Sequence, residues 1–248
     1  EANPEDLADA ATPGALRALG ITRLSLGVQS FFDDDLRFMN RAHSAADAER
    51  GVAAVAEAFD TFSVDLIFGV PGQPFEHWGA NLEKALRLGT PHVSAYSLTV
   101  EERTPLAKQV GAGLVVPEGD EALRERFLFT HDFLEARGLA HYEVSSFARP
   151  GHESRHNEGY WTHANTVGLG PSAHSFWRET RSSAWRWANV AHLGRWQALL
   201  AAGEAPLADR ERLSADALAD EAVMLGLRRL RDGLDLDRQE ADYGVDLL

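Results

Sequence analysis

The sequence predicts an α/β fold: a partial TIM-like βα barrel, then an irregular segment and a helical C-terminal element. Three observations predict it. Strand-like and helix-like stretches alternate through residues 1–148, successive strands carry small or polar side chains on one face, and polar residues collect at the carboxyl ends of those strands. Strands joined by helices pair in parallel through right-handed crossovers. The chemistry of such barrels sits at the carboxyl ends of the strands.

Each element has its own signal. Asn3-Pro4-Glu5-Asp6 reads as an N-cap, a proline at the first helical position and first-turn acids, opening a helix through Leu7, Leu16 and Leu19 that stops at Gly20. Residues 23–29 read as a strand. Ser44 with Asp47 forms a capping-box pattern ahead of an Ala-rich helix to Ala58. Residues 62–68 are the next strand, Pro71-Gly72-Gln73-Pro74 a turn, residues 75–88 a helix stopped by Gly89, and residues 92–99 a third strand. A helix over 118–137 ends at Gly138, and 142–147 reads as one more strand. From Arg149 the texture changes to dense Pro, Gly, His, Asn and Trp, and helical stretches return at 192–202 and 214–231. The predicted divisions are therefore 1–148, 149–190 and 191–248.

Side chains of a strand alternate between its two faces. Leu24, Leu26 and Val28 oppose Ser25, Gly27 and Gln29; Val64, Leu66 and Phe68 oppose Ser63, Asp65, Ile67 and Gly69. In the third strand Ala95, Ser97 and Thr99 read as the slim face. A doubly wound sheet would be apolar on both faces, so slim polar faces favour the wall of a ligand-holding barrel. Gln29, Asp65 and Thr99 lie at or near strand ends, and Glu1 reads as the last residue of a strand lying upstream. Each alone suits a solvated loop polar group; together they outline a rim.

Composition narrows the functions. Hydrophobic residues at 44% and charged residues at 25% belong to a folded globular chain. A net charge of −14 repels phosphate backbones and argues against nucleic acid. With no cysteine, the 248 residues supply no disulfide, thiolate zinc site, cysteine nucleophile or iron–sulfur ligand. No apolar run reaches the roughly 18 residues of a membrane span, and residues 1–4 are not a signal peptide, so the cytoplasm is the expected compartment. The first residue is Glu rather than Met and the last, Asp246-Leu247-Leu248, follow a helical pattern closely, so both ends read as cuts.

Four blocks carry a resemblance: Glu1-Ala2-Asn3-Pro4, Arg23 to Ser30 (RLSLGVQS), Asp65 to Gln73 (DLIFGVPGQ) and His92 to Thr99 (HVSAYSLT). They resemble, in order and spacing, the radical S-adenosylmethionine (radical SAM) proteins related to oxygen-independent coproporphyrinogen III oxidase. The later blocks, Phe147 to Asn157 with Tyr160-Trp161 and Gly168 to Ser175, resemble that family's HemW-type haem-chaperone branch. The resemblance implies S-adenosylmethionine binding by Glu1, Gln29, Arg41 and Asp65, and the strand-end position of Thr99 adds it to the candidate cofactor site. The residue types suit that role, because ribose hydroxyls want carboxylate or amide oxygens and a methionyl carboxylate suits the fork of an arginine. Read alone, Arg41 is a surface helix charge.

The resemblance also implies a [4Fe–4S] cluster, whose cysteine triad and glycine-rich neighbour belong upstream of Glu1. The present residues alone are then expected to be inactive in reductive cleavage of the cofactor. The His156-Asn157-x-x-Tyr160-Trp161 motif is associated in the chaperone branch with haem. A neutral imidazole at His156 can ligate iron, and the Tyr160 and Trp161 rings offer flat apolar area. A histidine in a Gly-rich loop serves equally well as a hydrogen-bonded strut, and His152, His163 and His174 compete for the ligand role. Gly168-x-Gly170-x-x-Ala173 matches a dinucleotide fingerprint only superficially, since 175–187 is no amphipathic helix.

Three functions follow for comparison. The first is a haem-binding chaperone on a radical SAM scaffold, delivering haem to an apo-haemoprotein. The second is oxidative decarboxylation of coproporphyrinogen III through a 5′-deoxyadenosyl radical. The third is a cofactor-free barrel serving as an interaction module. A homodimer and peripheral attachment to a membrane stay open.

Overall fold

A computed structural model describes residues 1–7 and 9–244; the chain end at 246–248 discussed above lies outside them. The chain divides into two compact units, Glu1–Glu153 and Ser154 onward.

The first unit holds α1 (Thr12–Ala18), β1 (Leu24–Gln29), α2 (Asp33–Phe38), α3 (Ala45–Ala58), β2 (Phe62–Phe68), α4 (Phe75–Arg87), β3 (His92–Ser97), α5 (Pro105–Gly111), α6 (Asp120–Glu135), β4 (Ala140–Glu143) and β5 (Ser146–Ala148). The sheet runs β1-β2-β3-β5-β4. β1, β2 and β3 are parallel, while β5 and β4 return antiparallel. Outside β1, Ala2 bridges Leu26 in parallel: its N–H donates to Ser25 O at 2.9 Å and its carbonyl accepts from Gly27 N at 2.9 Å. This is an open, barrel-like half sheet.

The α3 capping box forms as read, with Ser44 and Asp47 exchanging backbone and side-chain bonds. Three readings change. The helix expected from Asn3 is a short 3₁₀ turn at Pro4–Leu7, and the helix restarts as α1. Asp9 Oδ1 accepts from the Ala11 N–H at 2.9 Å, turning the chain, and Pro13 then suits a first helical turn because it has no N–H to satisfy. The strand expected over 142–147 is a hairpin, β4 and β5, turning at Val144-Ser145.

The third change concerns β3. Asp65 pairs with Ser94 and Leu66 with Ala95, and paired residues share a face. His92, Ser94 and Tyr96 therefore line the polar side, while Ala95 belongs to the apolar core. The slim face assigned to Ala95, Ser97 and Thr99 is displaced by one residue. Both faces of this strand offer a small side chain, so alternation alone does not choose between them.

The opposite face of β1–β3 is Leu24, Leu26, Val28, Val64, Leu66, Phe68, Val93 and Ala95, packed with Val52 and Val55 of α3, Trp78, Leu82 and Ala85 of α4, and Leu134 of α6. Trp78 is fully buried and donates Nε1–H to Thr130 Oγ1 at 2.8 Å, so its polar atom is satisfied.

The second unit holds α7 (Arg155–Trp161), β6 (His174–Thr180), β7 (Ser183–Asn189), α8 (Leu193–Ala201), β8 (Leu207–Leu213), α9 (Ala215–Gly226) and α10 (Leu236–Tyr243). β6, β7 and β8 form an antiparallel sheet. The stretch read as irregular thus contains α7 and a regular hairpin, and the helical element contains a strand. Trp and Arg alternate along β6 and β7, so their amphipathic side chains hide the apolar–polar contrast. β8 is a charged outer strand (LADRERL), a composition that protects an edge but reads as loop.

Leu66→Ala should lower unfolding free energy by about 2–5 kcal/mol, the usual cost of emptying a core leucine site, whereas Ser44→Ala should cost about 1 kcal/mol for a lost cap. Urea unfolding of both variants checks this ranking, and equal losses would contradict the placement of β2 in the core.

Candidate functional site

β1 ends irregularly. Its register with β2 breaks between Leu26 and Gln29. Gln29 takes φ 66°, left-handed backbone that a long side chain rarely adopts, and the Ser30 N–H folds back to Val28 O at 2.8 Å. Such strain costs about 1–3 kcal/mol and concentrates at functional positions. The kink turns the Gln29 side chain over Gly27.

Gly27 has no room for anything larger. A Cβ there would stand 2.9 Å from Gln29 Nε2, 3.0 Å from Asn3 Oδ1 and 3.6 Å from an Arg41 terminal nitrogen. Arg41 donates to Asn3 Oδ1 at 2.6 Å and reaches Gly27 O at 3.4 Å. Its Nε is buried without a partner, and among the described residues no carboxylate pairs with it. Gln29 and Arg41 line an open cleft of about 710 Å³, walled by Met39, Ile67, Leu98 and Leu106, within the usual size of small-molecule sites. Arg41 is thus held, half-buried, with cationic capacity to spare.

One strand over, Ser25 Oγ donates to Asp65 Oδ2 at 2.8 Å and meets Ser63 Oγ at 2.7 Å. Ser94 pairs with Asp65 across β2 and β3 and shares its face. Asp65 Oδ1 is buried and unpartnered. Burial pushes the Asp65 carboxyl above its ordinary 3.8, and the negative charge of Glu1 pushes the same way, against the serine hydroxyls and Arg23, which hold it down. Glu1 is exposed; burial is the main cause that raises the Tyr96 hydroxyl, and the negative charge of Glu1 raises it further. Beneath Asp65, burial lowers the Arg23 guanidinium and brings the His92 imidazole to about 3. His92 is therefore neutral, with Nε2 2.8 Å from the Tyr142 hydroxyl.

The first unit thus brings Gln29 and Arg41 together over Gly27 at one cleft, while Asp65 sits within β2 on the polar face. Thr99 falls two residues beyond β3, exposed, with its hydroxyl on Glu101 Oε1 at 3.2 Å. Sequence reasoning missed Asn3, taken as a helix cap, and Arg23. The signal for Arg23 was period-two spacing ahead of Ser25 and Gly27.

In the second unit His156 and Tyr160 sit one turn apart on α7, both exposed, with the Tyr160 hydroxyl 2.8 Å from His156 Nε2. Trp161 takes another face: the Arg228 guanidinium lies 4.5 Å from its ring centroid, at a cleft shared with Gly226, Leu234 and Tyr243. Ser154 caps α7 by accepting from the Asn157 N–H at 3.4 Å. Of the competing imidazoles, His163 is buried between Tyr243 and Glu221, and His152, in the first unit, meets Thr61 at 3.0 Å.

If Asp65 is buried and ionised at neutral pH, its charge opposes folding. A raised native pKa means that the folded state holds the proton more tightly. Stability therefore falls as pH rises from 3.8 through the raised value. Asp65→Asn should raise the melting temperature at pH 7, by about 2–4 °C for each kcal/mol relieved, and the gain should shrink towards zero near pH 3. Thermal melts across this range check the sign, and a gain that persists undiminished at low pH would contradict it.

With this geometry known, comparison with other proteins is informative. A model of the Radical SAM superfamily matches residues 3–85. A protein named heme chaperone HemW from Mycobacterium tuberculosis is 41% identical over 239 residues, 96% of this chain and 60% of that protein. Another of that name from Bacillus subtilis is 34% identical over 248 residues, 100% of this chain and 64% of that protein. The chain thus spans about three-fifths of the length of these curated relatives. Among solved structures, coproporphyrinogen III oxidase (HemN) from Escherichia coli, described as a radical SAM enzyme, superposes with a TM-score of 0.76 over 98% of this chain and 57% of that one. At 21% identity this shows a common fold. Residues 3–85 thus carry a radical SAM domain, and the chain has homologues named heme chaperone HemW along almost its whole length.

Proposed function

We propose that this chain is the larger part of a haem chaperone on a radical SAM scaffold, binding S-adenosylmethionine in its first unit and haem in its second, and passing haem to an apo-haemoprotein. A radical SAM domain implies S-adenosylmethionine and a [4Fe–4S] cluster. The cluster's thiolates are not among these residues, which contain no cysteine.

The residues fit the nucleoside cofactor. Arg41, held by Asn3 and free of any carboxylate, offers its fork to the methionyl carboxylate. Asp65 Oδ1, buried and unpartnered, offers an acceptor to a ribose hydroxyl, as do Gln29 and Glu1. Gly27, lacking a Cβ, lets the Gln29, Asn3 and Arg41 side chains converge over it. When bound, the cofactor supplies a reactive alkyl group; this chain's own residues orient it and shield it.

The observation that carries the haem reading is the solvent-facing His156–Tyr160 pair on α7. Exposed aromatic and imidazole groups at one helical turn give iron a nitrogen and the macrocycle a flat edge. Trp161, pinned beneath Arg228, anchors the helix that presents them.

Two titrations of the complete protein test the two halves. Arg41→Met should weaken S-adenosylmethionine binding about 10–150-fold, the loss of a charge-assisted hydrogen bond worth about 1.5–3 kcal/mol, measured by calorimetry; unchanged affinity would remove Arg41 from the site. Haemin should produce a Soret shift that His156→Ala diminishes. Conversion of coproporphyrinogen III to a vinyl product by the complete protein would replace the chaperone reading with an enzymatic one.

A further inference from the structure

The ten histidines of the chain differ in what their rings do. His43, His92, His141 and His163 are buried and hydrogen-bonded. His131 meets His141 at 3.1 Å, His152 meets Thr61, His156 meets Tyr160, and His192 caps α8 by accepting from the Arg195 N–H. His77 stacks on Phe32 with ring centroids 3.9 Å apart. Among the described residues only His174 is exposed and makes no side-chain hydrogen bond.

His174 begins β6 and is firmly placed. It pairs with Ala188 of β7, and the next residues are pinned by Thr166 bridging Phe176 and by Ser175 Oγ accepting from the Gly168 N–H at 2.9 Å. Gly168 lies so close that a Cβ on it would stand 2.3 Å from the His174 carbonyl oxygen. Asn189 Nδ2 ties down the same loop at Gly170 O, 2.8 Å away. The glycines that mimic a dinucleotide fingerprint thus serve to bring this loop against the start of β6.

The ring borders a groove of about 210 Å³ lined by Tyr160, Ala164, Phe176 and Leu225, with Arg186 at its wall. Arg186 is already neutralised by Glu221 at 2.5 Å and Glu211 at 3.3 Å, so the groove offers apolar surface rather than charge. The adjoining loop leaves Val167 and Leu169 at 54% and 88% exposure. An apolar slot with a free, fixed imidazole at its edge suits an iron porphyrin, which is flat, apolar along one edge and short of axial nitrogen ligands. The slot is smaller than the roughly 300–1,000 Å³ of sites that enclose a ligand. It therefore seats an edge and leaves the propionates in water, as a releasable cargo requires.

We infer that the Tyr160–Phe176–Leu225 groove is the haem seat and that His174 supplies an axial nitrogen to the iron. This rests on the haem-binding reading above, and adds to the motif's Tyr160 a groove wall and an axial ligand that lie outside the motif. His156 must give up its 2.8 Å hydrogen bond with Tyr160 to ligate iron through Nε2, whereas the His174 ring has no side-chain hydrogen bond among the described residues to break.

Haemin titration of the complete protein, followed by Soret absorption, separates the two. The wild type should bind with an imidazole-ligated spectrum. His174→Gly should weaken binding tenfold or more and shift the Soret band, and added imidazole should restore the wild-type band. His156→Ala should change the spectrum less than His174→Gly does. A wild-type spectrum and affinity in His174→Gly overturns this inference while leaving haem binding intact; no Soret shift in the wild type overturns both. Because His174 is exposed, circular dichroism of the variant should match the wild type, so a spectral change reports ligation rather than unfolding.

Discussion

The central strands of the first unit carry opposite chemistry on their two faces, and the rest of that unit follows from it. Leu26, Val64, Leu66 and Val93 demand helices on their side, and α3, α4 and α6 supply them. Ser25, Gly27, Ser63, Asp65 and Ser94 cannot be covered in the same way, because hydroxyls and a carboxylate buried under apolar helices would lose their water without replacement. The sheet must therefore keep that face towards a polar, solvent-connected interior. Serine hydroxyls supply part of the replacement, and a cleft supplies the remainder.

This interior is held at a cost in stability. Gln29 occupies a left-handed backbone position, Asp65 keeps one oxygen unpartnered, and Arg23 and Arg41 each bury an unpartnered Nε. Each is a defect by the standards of a core, where buried polar atoms are nearly always paired. Gln29 and Arg41 line the cleft past the end of β1, whereas Asp65 lies within β2 and Arg23 just before β1, and other unpartnered buried atoms, such as Thr90 Oγ1 and Ser146 Oγ, lie elsewhere in the unit. Of these atoms, the Arg41 Nε belongs to a side chain that lines the cleft, where a group left unpaired in the free chain is one that a ligand can satisfy. The apolar face bears the cost: Trp78, Leu66 and Leu82 are fully buried with no polar atom unmet.

Much of this was legible in the sequence because β1 up to Leu26 and β2 up to Leu66 alternate apolar and polar residues, the register breaking only after Leu26. Leu24 to Gln29 divides cleanly into large apolar and small polar residues, and Asp65 falls on the polar side as read. β3 was misread by one residue because Ser94, Ala95 and Ser97 are all small, so no contrast marks the faces. Asn3 was misread because its residue type suits a cap and its actual partner, Arg41, is 38 positions away. The second unit was less legible still. Its strands alternate Trp with Arg, or are charged along an edge, and their placement depends on cross-strand pairs such as Trp185 with Arg212 that no local pattern announces.

The two units use aromatic and imidazole rings for different ends. In the first, imidazoles are struts: His43 spans Glu5 Oε2 and Val28 O, each at 3.0 Å, and His92 is locked to Tyr142. Burial keeps His92 neutral far below physiological pH, so it holds its geometry across any ordinary change of conditions. In the second unit His163 does similar work, stacked on Phe176 at 5.0 Å and bonded to Tyr243 at 2.8 Å. That strut consolidates the wall of the groove that His174 borders. A buried histidine stiffening the surface on which an exposed one stands is an economical arrangement for a ligand site, because a metal-binding nitrogen is effective only when its backbone does not move. The buried rings thus hold in place the helices and strands on which the exposed ones stand.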